Sequence, residues 1–432
     1  MESGSGDCKT LGLPRATVRS PEATPVSMTD SDVVALAERV RDGELRLYEL
    51  EDHADPDVAA AARRHLLAEE TGADLSAVGD YTFDAADAES NIENMVGAAQ
   101  VPMGVVGPLP VDGGAAEGDH HLPLATSEGA LLASVNRGVS TIRNAGGATA
   151  RVLKSGMTRA PVFRVADVAE AGEVSAWVRE HVDVLADAAE STTSHGELQD
   201  VTPYVVGDSV FLRFSYDTKD AMGMNMATIA TEAACDIVES ETPADLVALS
   251  GNLCSDKKPA AINAVEGRGR TVAADVLIPH EQVEERLDTT SDAIVEANTR
   301  KNLVGSAKAG ALGFNAHAAN VVAAAFLALG QDIAQVVEGS NAITTVDARE
   351  DGLYASVTIA SLEVGTVGGG TGLPTQSEAL DVLGYSGGGD PAGSNADALA
   401  EVIAAGALAG ELSLLAALSS RHLSSAHADL GR

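Results

Sequence analysis

Residues 250–259, Ser-Gly-Asn-Leu-Cys-Ser-Asp-Lys-Lys-Pro, contain the side chains of this sequence best suited to chemistry on a negatively charged group. Lysine is scarce, with seven in 432 residues, and two of them, Lys257 and Lys258, are adjacent in this polar segment. A lysine ammonium can stabilise a developing oxyanion, donate a proton or bind phosphate. The alternative is a solvated loop with two exposed lysines, but the scarcity of lysine favours a functional pair.

Three further side chains extend this candidate site. Asp332 is expected near the end of a long apolar helix, where a buried carboxylate needs a partner such as Lys257. Glu128 is expected in the first turn of a helix over 127–144, where an acidic residue is often only a helix-start residue. His427 lies near the C-terminus, and a tail can bring a general acid into a site.

Two glycine-containing segments can bind phosphates through exposed backbone N–H groups. Residues 365–372 follow a predicted strand, and residues 220–226 follow a strand and open a helix. Neither has the spacing of a Rossmann turn or a P-loop. An ordinary glycine turn and a methionine-rich core turn remain the alternatives.

The charge of the chain limits its ligands. The net charge of −36 is spread along the sequence, which excludes nucleic acid and anionic membranes as general partners. An anionic substrate needs local positive charge, which Arg137, Arg159, Lys257 and Lys258 supply. Together with two carboxylates and two glycine segments, this set fits reduction of a carbonyl by a nicotinamide cofactor.

Composition also indicates the environment. Abundant acidic residues with scarce lysine predict a protein adapted to high salt, which should lose its far-UV circular dichroism signal on dialysis to dilute buffer. Three cysteines give no disulfide framework, and the N-terminus has no signal peptide, so a cytoplasmic location is expected. The uncharged stretch 309–331 contains Asn and His residues, which favours a buried core helix over a membrane span.

The elements predict an α+β fold. Residues 161–249 read as βαββαβ, the ferredoxin-like order, with one helix over 168–189 and a hairpin turned at Gly207-Asp208. Residues 261–432 are expected to be mostly helical around a long central helix, 305–338, with a strand over 357–364 and a helix over 396–422. The predicted domains are a disordered tail 1–27, a helical domain 28–92, a large substrate domain 93–160 and 261–432, an inserted dinucleotide-binding domain 161–249, and the lysine loop 250–260.

Several motifs then occur in one order. They are ENMVG at 93–97, ATSEG at 125–129, ASVNRG at 133–138, GMTR at 156–159, DAMGMNM at 220–226, SGNLCSDKKPA at 250–260, NAHAAN at 315–320, GQD at 330–332 and GTVGGGT at 365–371. From about residue 35 to the end, the chain resembles the 3-hydroxy-3-methylglutaryl-coenzyme A reductase family. Within that family it resembles the soluble class I enzymes, and it resembles a protein from a halophilic archaeon.

The resemblance implies a two-step, four-electron reduction of the thioester to mevalonate, with two NADPH, release of CoA and no metal. It implies that Lys257 stabilises the oxyanion, Asp332 keeps Lys257 charged, and His427 protonates the CoA thiolate. Glu128 would supply the proton of the aldehyde step, which requires a pKa raised by burial.

The resemblance also assigns binding residues. The implied substrate contacts are Ser134, Asn136, Arg137, Arg159, Ser250, Asn252, Asp256, Lys258 and Asn320. The implied dinucleotide contacts are Asp220, Met222, Gly223, Met224, Asn225, Val367, Gly368, Gly369 and Gly370. A homodimer or homotetramer with the site between subunits, feeding isoprenoid lipid synthesis, is also implied.

Two alternatives remain open. Ser194 stands where relatives carry an arginine for the 2′-phosphate of NADPH, so an oxidative, NAD-dependent member of the same fold is one. The few residues after His427 favour the biosynthetic class, because degradative relatives carry an extra segment there. The other alternative is a CoA- or nucleotide-binding protein without turnover.

Overall fold

The computed structural model describes residues 30–420, which form two compact units. The smaller unit contains residues 30–86 and 92–98, and the larger contains residues 87–91 and 99–420. The predicted tail 1–27 lies outside the described residues, as do His422 and His427.

The smaller unit is helical, as predicted. Its helices are α1 (Asp30–Arg41), α2 (Pro56–Thr71) and the single turn α3 (Ser76–Gly79), with a 3-10 helix over Leu47–Asp52. The pair Asp55-Pro56 predicts a capped helix start, and the cap is confirmed, because the Asp55 carboxylate accepts the N–H of Asp57 at 3.0 Å. A 3-10 turn, Ala85–Ala88, spans the boundary between the two units in sequence.

The larger unit begins with strands that the sequence did not indicate. They are β1 (Met103–Asp112) and β2 (Glu117–Ala125), followed by α4 (Leu131–Asn144) and β3 (Ala148–Arg159). The prediction that the helix starts at Ser127 is wrong. Ala130 has a φ of 69°, which no helical residue adopts, so Glu128 lies in the turn before α4.

Residues 162–248 form the ferredoxin-like module. Its elements are β4 (Val162–Arg164), α5 (Val168–Glu180), α6 (Val182–Glu190), β5 (Glu197–Val206), β6 (Ser209–Asp217), α7 (Met224–Glu241) and β7 (Asp245–Ala248). The antiparallel strand order is β7-β4-β6-β5. The single helix predicted over 168–189 is two helices, because the backbone at His181 leaves helical geometry with a φ of −126°.

The rest of the larger unit contains more strand than predicted. Its elements are α8 (Ala261–Glu266), β8 (Gly269–Ile278), α9 (His280–Leu287), α10 (Ser291–Ala297), a π-helical segment (Asn298–Gly305), α11 (Ser306–Ala309), α12 (Ala318–Ala328), a 3-10 turn (Ile333–Gln335), α13 (Val336–Gly339), β9 (Ala342–Arg349), β10 (Gly352–Leu362), a 3-10 turn (Gly369–Gly372), α14 (Pro374–Leu383) and α15 (Ser394–Ser419). The sheet continues in the order β3-β8-β10-β9. Strand β3 joins both halves, since residues 149–156 pair with β8 and residues 157–159 with β6.

The predicted central helix over 305–338 is wrong. Gly310 and Gly330 have φ values of 71° and 67°, which end α11 and the turn after α12, so the segment is broken into short pieces. The central helix is instead α15, most of whose 26 residues are buried.

Helix α15 is long and apolar enough to cross a membrane, but 83% of its most apolar window is buried in the fold, as in a core helix. The sequence offers Ser394 and Asn395 as N-caps of this helix, but the cap comes from a distant residue instead. The Asp220 carboxylate accepts the N–H groups of Gly393 and Ala396 at 2.7 and 3.1 Å. The α+β fold class, with its inserted module, is confirmed, while the exact domain boundaries remain a prediction.

Candidate active site

The lysine loop, residues 250–260, follows β7 and has an unusual backbone. Asn252, Ser255 and Lys257 have φ values of 63°, 46° and 57°, in the left-handed region that non-glycine residues seldom occupy. Such a residue costs on the order of 1–3 kcal/mol and persists only when its surroundings impose it. The conformation of this loop is therefore set by its contacts with other segments.

Two carboxylates bind Lys257 at opposite ends of the residue. Its Nζ lies 2.9 Å from Asp332 Oδ2, and its backbone N–H donates to Glu338 Oε1. The hydrogen bond to Asp332 raises the pKa of the Lys257 ammonium, against a smaller opposing effect of burial. Lys257 is thus a cation at neutral pH, and because its side chain is 45% exposed, the charge is accessible to a ligand.

Asp332 is placed differently from the prediction. It lies in a turn after α12 and caps the 3-10 turn Ile333–Gln335, where Oδ1 accepts the N–H of Ala334 at 3.1 Å. Its side chain is 31% exposed, so the expected burial of this carboxylate is wrong. The contact with Lys257 is present, while the catalytic roles of both residues remain a prediction.

A buried ionic cluster next to the lysine loop was missed by sequence reasoning. The side chain of Arg268 is fully buried, and its guanidinium lies 3.1 Å from Asp256, 3.1 Å from Glu363 and 3.7 Å from Glu338. We call these four residues the Arg268 cluster. It is joined to the lysine loop twice, through Asp256 and through the N–H of Lys257.

The Arg268 cluster has more acid than base. Burial raises the pKa of Glu363 to about 8 and also raises that of Glu338, although Arg268 opposes both effects. Glu363 therefore holds a proton more readily than an exposed glutamate does. The signal in the sequence was a lone charge between small or apolar neighbours, Val337-Glu338-Gly339 and Leu362-Glu363-Val364, which indicates a buried carboxyl group.

The two glycine segments predicted to bind the dinucleotide are in contact. Ala221 and Val367 form an isolated bridge, and Thr366 N donates to Asp220 O at 2.8 Å. Gly365 must be glycine, because a Cβ there would lie 2.3 Å from Met222 N. The structure therefore brings both segments together.

The other members of the predicted dinucleotide set differ in their accessibility. Gly368 and Gly369 are exposed, have positive φ values, and would meet nothing within 4 Å if they carried a Cβ, so a ligand can approach their backbone. Gly223 and Asn225 lie at the N-terminus of α7, where the helix dipole favours an anion. Gly370 instead packs on Gly330, and a Cβ on it would lie 2.7 Å from Gly330 O.

Asp220 and Met224 have internal partners. The buried Asp220 carboxylate also accepts the N–H of Gly389 at 2.9 Å, in addition to its bonds at the start of α15. Met224 Sδ lies 2.7 Å from Arg268 Nη2, which connects the dinucleotide segment to the Arg268 cluster.

Glu128 is exposed in the turn before α4, so the other residues of 30–420 do not provide the expected burial of its carboxylate. Within residues 30–420, its one side-chain hydrogen bond comes from Asn320 Nδ2, at 3.4 Å from Oε1. The structure thus places two predicted site residues, Glu128 and Asn320, in contact with each other rather than with Lys257.

The predicted carboxylate-binding residues are partly available for a ligand. Arg159, at the end of β3, is half-buried, and its Nε has no hydrogen-bond partner in the described part of the chain. Lys258 is exposed, with Nζ 2.8 Å from Asp256 O. Ser250 Oγ lies 3.9 Å from Cys254 Sγ, a weak contact that leaves its hydroxyl available.

Three predicted substrate contacts on α4 are used inside the fold. Arg137 Nε donates to Ser413 Oγ at 3.1 Å, and Ser134 Oγ lies 2.9 Å from the same atom. Burial lowers the pKa of the Arg137 guanidinium. Asn136 Oδ1 accepts the N–H of Gly107 at 3.2 Å. These residues fasten α4 to α15 and β1, and any contact they make with substrate remains a prediction.

The arrangement combines a charged ammonium, a guanidinium nitrogen without a partner in the described part of the chain, and two glycine segments in a strongly acidic protein. Such a site can bind an anionic substrate and stabilise negative charge that develops on an oxygen. Among residues 30–420, no group of His, Cys, Asp and Glu side chains is arranged to bind a metal ion.

Comparison with known proteins agrees with these features. The profile of the hydroxymethylglutaryl-coenzyme A reductase family matches residues 59–432. The 3-hydroxy-3-methylglutaryl-coenzyme A reductase of Haloferax volcanii is 74% identical over 93% of this chain and 100% of its own length. The enzyme of that name from Halobacterium salinarum is 73% identical over 93% of this chain and 99% of its own length.

A solved structure shares the fold. The class II 3-hydroxy-3-methylglutaryl-CoA reductase of Streptococcus pneumoniae, determined with bound NADPH, aligns with a TM-score of 0.64 at 21% identity, over 82% of this chain and 96% of that one. The similarity to the two archaeal enzymes covers nearly the whole chain, so this protein belongs to the hydroxymethylglutaryl-coenzyme A reductase family.

Proposed function

We propose that this protein is a class I biosynthetic enzyme that reduces 3-hydroxy-3-methylglutaryl-CoA to mevalonate. Each turnover uses two NADPH and two protons and releases CoA and two NADP⁺. The observation that carries this proposal is the contact between the Lys257 ammonium and Asp332, at 2.9 Å, in a strained loop joined to a buried ionic cluster.

Lys257 stabilises the negative charge that appears on the thioester oxygen. Its ammonium is half-exposed and its pKa is raised by Asp332, so it is charged when substrate arrives. A donor placed in advance at the position of the oxyanion lowers the barrier without further reorganisation. Asp332 orients this donor, and the Arg268 cluster fixes the backbone from which it extends.

Two side chains supply protons. Glu128 protonates the oxygen formed in the aldehyde step, and His427 protonates the departing CoA thiolate. Glu128 is exposed in the single chain. We propose that a second copy of the chain covers it, in a homodimer or homotetramer, and supplies the burial that a raised pKa requires.

The carboxylate end of the substrate is bound by Arg159, Ser250, Lys258 and Asn320. Arg159 offers a buried Nε without a partner among the described residues, and an unpaired donor of that kind suits a carboxylate. Asp256 and Asn252 order the lysine loop, Asp256 through its contact with Arg268. CoA lies along α4, the helix that carries Ser134, Asn136 and Arg137.

The residues present fit a nicotinamide dinucleotide. Gly368 and Gly369 leave open space at exposed backbone, and Gly223 and Asn225 lie at the positive end of α7, so both suit a pyrophosphate. The remaining contacts proposed are Asp220, Met222, Met224, Val367 and Gly370. NADPH, when bound, supplies the two hydrides of the reaction. We propose a cytoplasmic location, where the product feeds isoprenoid lipid synthesis.

The test measures the decrease in NADPH absorbance when the enzyme is given the thioester substrate in molar salt. We expect two NADPH consumed for each CoA thiol released, and faster initial rates with NADPH than with NADH. Absence of consumption rejects the proposal. Faster oxidation of mevalonate with NAD and CoA than reduction of the thioester supports the degradative alternative, which the exposed Ser194 keeps open.

A further inference from the structure

A chain of hydrogen bonds connects Glu128 to the central helix α15. Asn320 Nδ2 lies 3.4 Å from Glu128 Oε1 and 3.3 Å from His317 Nδ1. His317 Nε2, on the other side of the ring, lies 2.8 Å from the backbone oxygen of Gly410. His317 therefore stands between the buried helix and the amide that contacts Glu128.

The partners of His317 determine its tautomer. A carbonyl oxygen only accepts, so Nε2 must carry the hydrogen that is donated to Gly410. In a neutral imidazole, Nδ1 is then an acceptor, and it accepts from Asn320. A carboxylate oxygen also only accepts, so the second N–H of the same amide donates to Glu128. Within residues 30–420, no donor is bonded to Asn320 Oδ1, so this oxygen remains available for the proposed substrate contact, which is then made to a hydroxyl group rather than to the carboxylate.

The position of His317 is fixed by α15. Glu411 Oε1 accepts the backbone N–H of His317 at 2.7 Å, and Glu411 Oε2 accepts that of Ala316 at 2.6 Å. The side chain reaches the helix backbone because Gly410 has none of its own. A Cβ at Gly410 would lie 3.2 Å from His317 Nε2 and 2.9 Å from a methyl group of Val321.

We infer that His317 is a positioning residue for the proton donor of the aldehyde step. It fixes the Asn320 amide, whose N–H occupies Glu128 Oε1, so that Oε2 carries the proton and delivers it. The proton passes from Glu128 Oε2 to the oxygen of the aldehyde as its carbon accepts hydride, and His317 keeps its own single proton throughout. This inference rests on the proposed function of Glu128.

Two substitutions separate this role from a simple structural tie to α15. His317→Asn keeps an acceptor near the position of Nδ1 but loses the bond to Gly410. His317→Gln keeps a donor near the position of Nε2 but loses the acceptor for Asn320. We expect His317→Gln to lower kcat for reduction of free mevaldehyde by about 10–100-fold with KM nearly unchanged, which is less than loss of the acid itself would cause. His317→Asn should retain most of this activity.

The opposite order of the two variants would overturn the inference, because it is the order that a structural tie alone produces. An equal loss in the thioester step and the aldehyde step would overturn it as well. A third comparison uses Asn320→Ala as the background. If His317 acts through Asn320, His317→Gln should cause no further loss there, whereas additive losses would show an independent effect.

A spectroscopic measurement tests the same geometry without enzyme turnover. Protein with ¹⁵N-labelled histidine, studied by NMR in molar salt at neutral pH, should show His317 protonated at Nε2 alone. The His317→Asn variant identifies the signal, and Asn320→Ala should shift its Nδ1 resonance. A ring protonated at Nδ1, or at both nitrogens, would refute the inference even in an active enzyme. Failure of the wild type to consume NADPH would reject the proposed function instead, and the NMR result would still decide the geometry.

Discussion

Two regions of the larger unit each bury a pair of glutamates, but the carboxylate oxygens of the two pairs differ in how completely they accept hydrogen bonds. On α15, Glu401 and Glu411 are at most 1% exposed, and both oxygens of each accept hydrogen bonds from backbone N–H groups. In the Arg268 cluster, Glu338 and Glu363 are fully buried, yet Oε2 of each has no partner among the described residues. One type of side chain thus occurs in two electrostatic situations.

The difference separates a structural role from a functional one. The α15 carboxylates fasten loops and strands to a core helix, and their hydrogen bonds compensate for the loss of water. Glu338 and Glu363 share one guanidinium, have raised pKa values, and adjoin the loop that carries Lys257. Incompletely satisfied buried groups are expected where a protein gives up stability for activity.

The largest effect is expected from removing the shared cation. Arg268→Met leaves Asp256, Glu338 and Glu363 without their guanidinium, and breaking a buried ion pair in this way costs about 3–5 kcal/mol. The urea midpoint in constant molar salt should fall accordingly. Arg164→Met is the matched control, since its exposed pair with Asp245 should contribute at most about 1 kcal/mol. Equal losses of stability in the two variants would show that the buried cluster stabilises the fold no more than an exposed ion pair does.

The next effect concerns activity rather than stability. Lys257→Met removes the ammonium but leaves the backbone bond to Glu338, so the fold should persist while kcat falls roughly 10²–10³-fold, as for loss of an oxyanion donor. Steady-state NADPH consumption measures this. Lys258→Met, the adjacent comparison, should instead raise KM for the thioester. Near-normal turnover of Lys257→Met would exclude the proposed role of the ammonium.

For the buried glutamates of α15 we expect the opposite pattern, a loss of stability without a loss of activity. Glu401 accepts the N–H groups of Gly114, Ala115, Ala116 and Val152 at 2.8–3.2 Å. Glu401→Gln presents an amide N–H₂ to some of these donors, and an unsatisfied buried donor costs about 1–3 kcal/mol. We expect a lower urea midpoint with kcat per folded enzyme unchanged. A loss of kcat as large as that of Lys257→Met would erase the distinction between the two regions.

Local signals in the sequence predicted local structure well. The Asp55-Pro56 cap of α2 and the Gly207-Asp208 hairpin depend on neighbouring residues and are confirmed. The scarcity of lysine identified Lys257. Its contact with Asp332 was predicted as well, although from a burial of the Asp332 carboxylate that the structure does not show.

Features that depend on distant segments were not predictable. Strand β8 is rich in small residues shared with helices, and only its pairing with β3 and β10 makes it a strand. We predicted that Glu128 lies in a helix, because no pattern in the sequence reveals that the backbone of Ala130 is left-handed and that the helix begins only after it. The Arg268 cluster joins residues far apart in the chain, and no spacing rule connects them.

The smallest effect is the most specific to the cluster. Glu363 has a folded-state pKa of about 8, against an ordinary value of 4.5, because burial disfavours its charge. Between these values the unfolded chain releases this proton and the folded chain retains it, so Glu363 makes the folded state progressively less stable as pH rises through the window. Below 4.5 both states are protonated and the contribution vanishes.

Glu363→Gln keeps an acceptor for Arg268 and removes this titration. Relative to wild type, the variant should therefore gain stability with rising pH, by at most about 1.4 kcal/mol per pH unit within the window. Urea midpoints at several pH values in constant salt measure the difference, and the exposed Glu284→Gln is the control for a glutamate outside the cluster. A difference between wild type and Glu363→Gln that stays constant with pH would mean that Glu363 is ionised in the folded protein. The charge of Glu363 would then be compensated as fully as those of the α15 glutamates, and the contrast between the two regions would disappear.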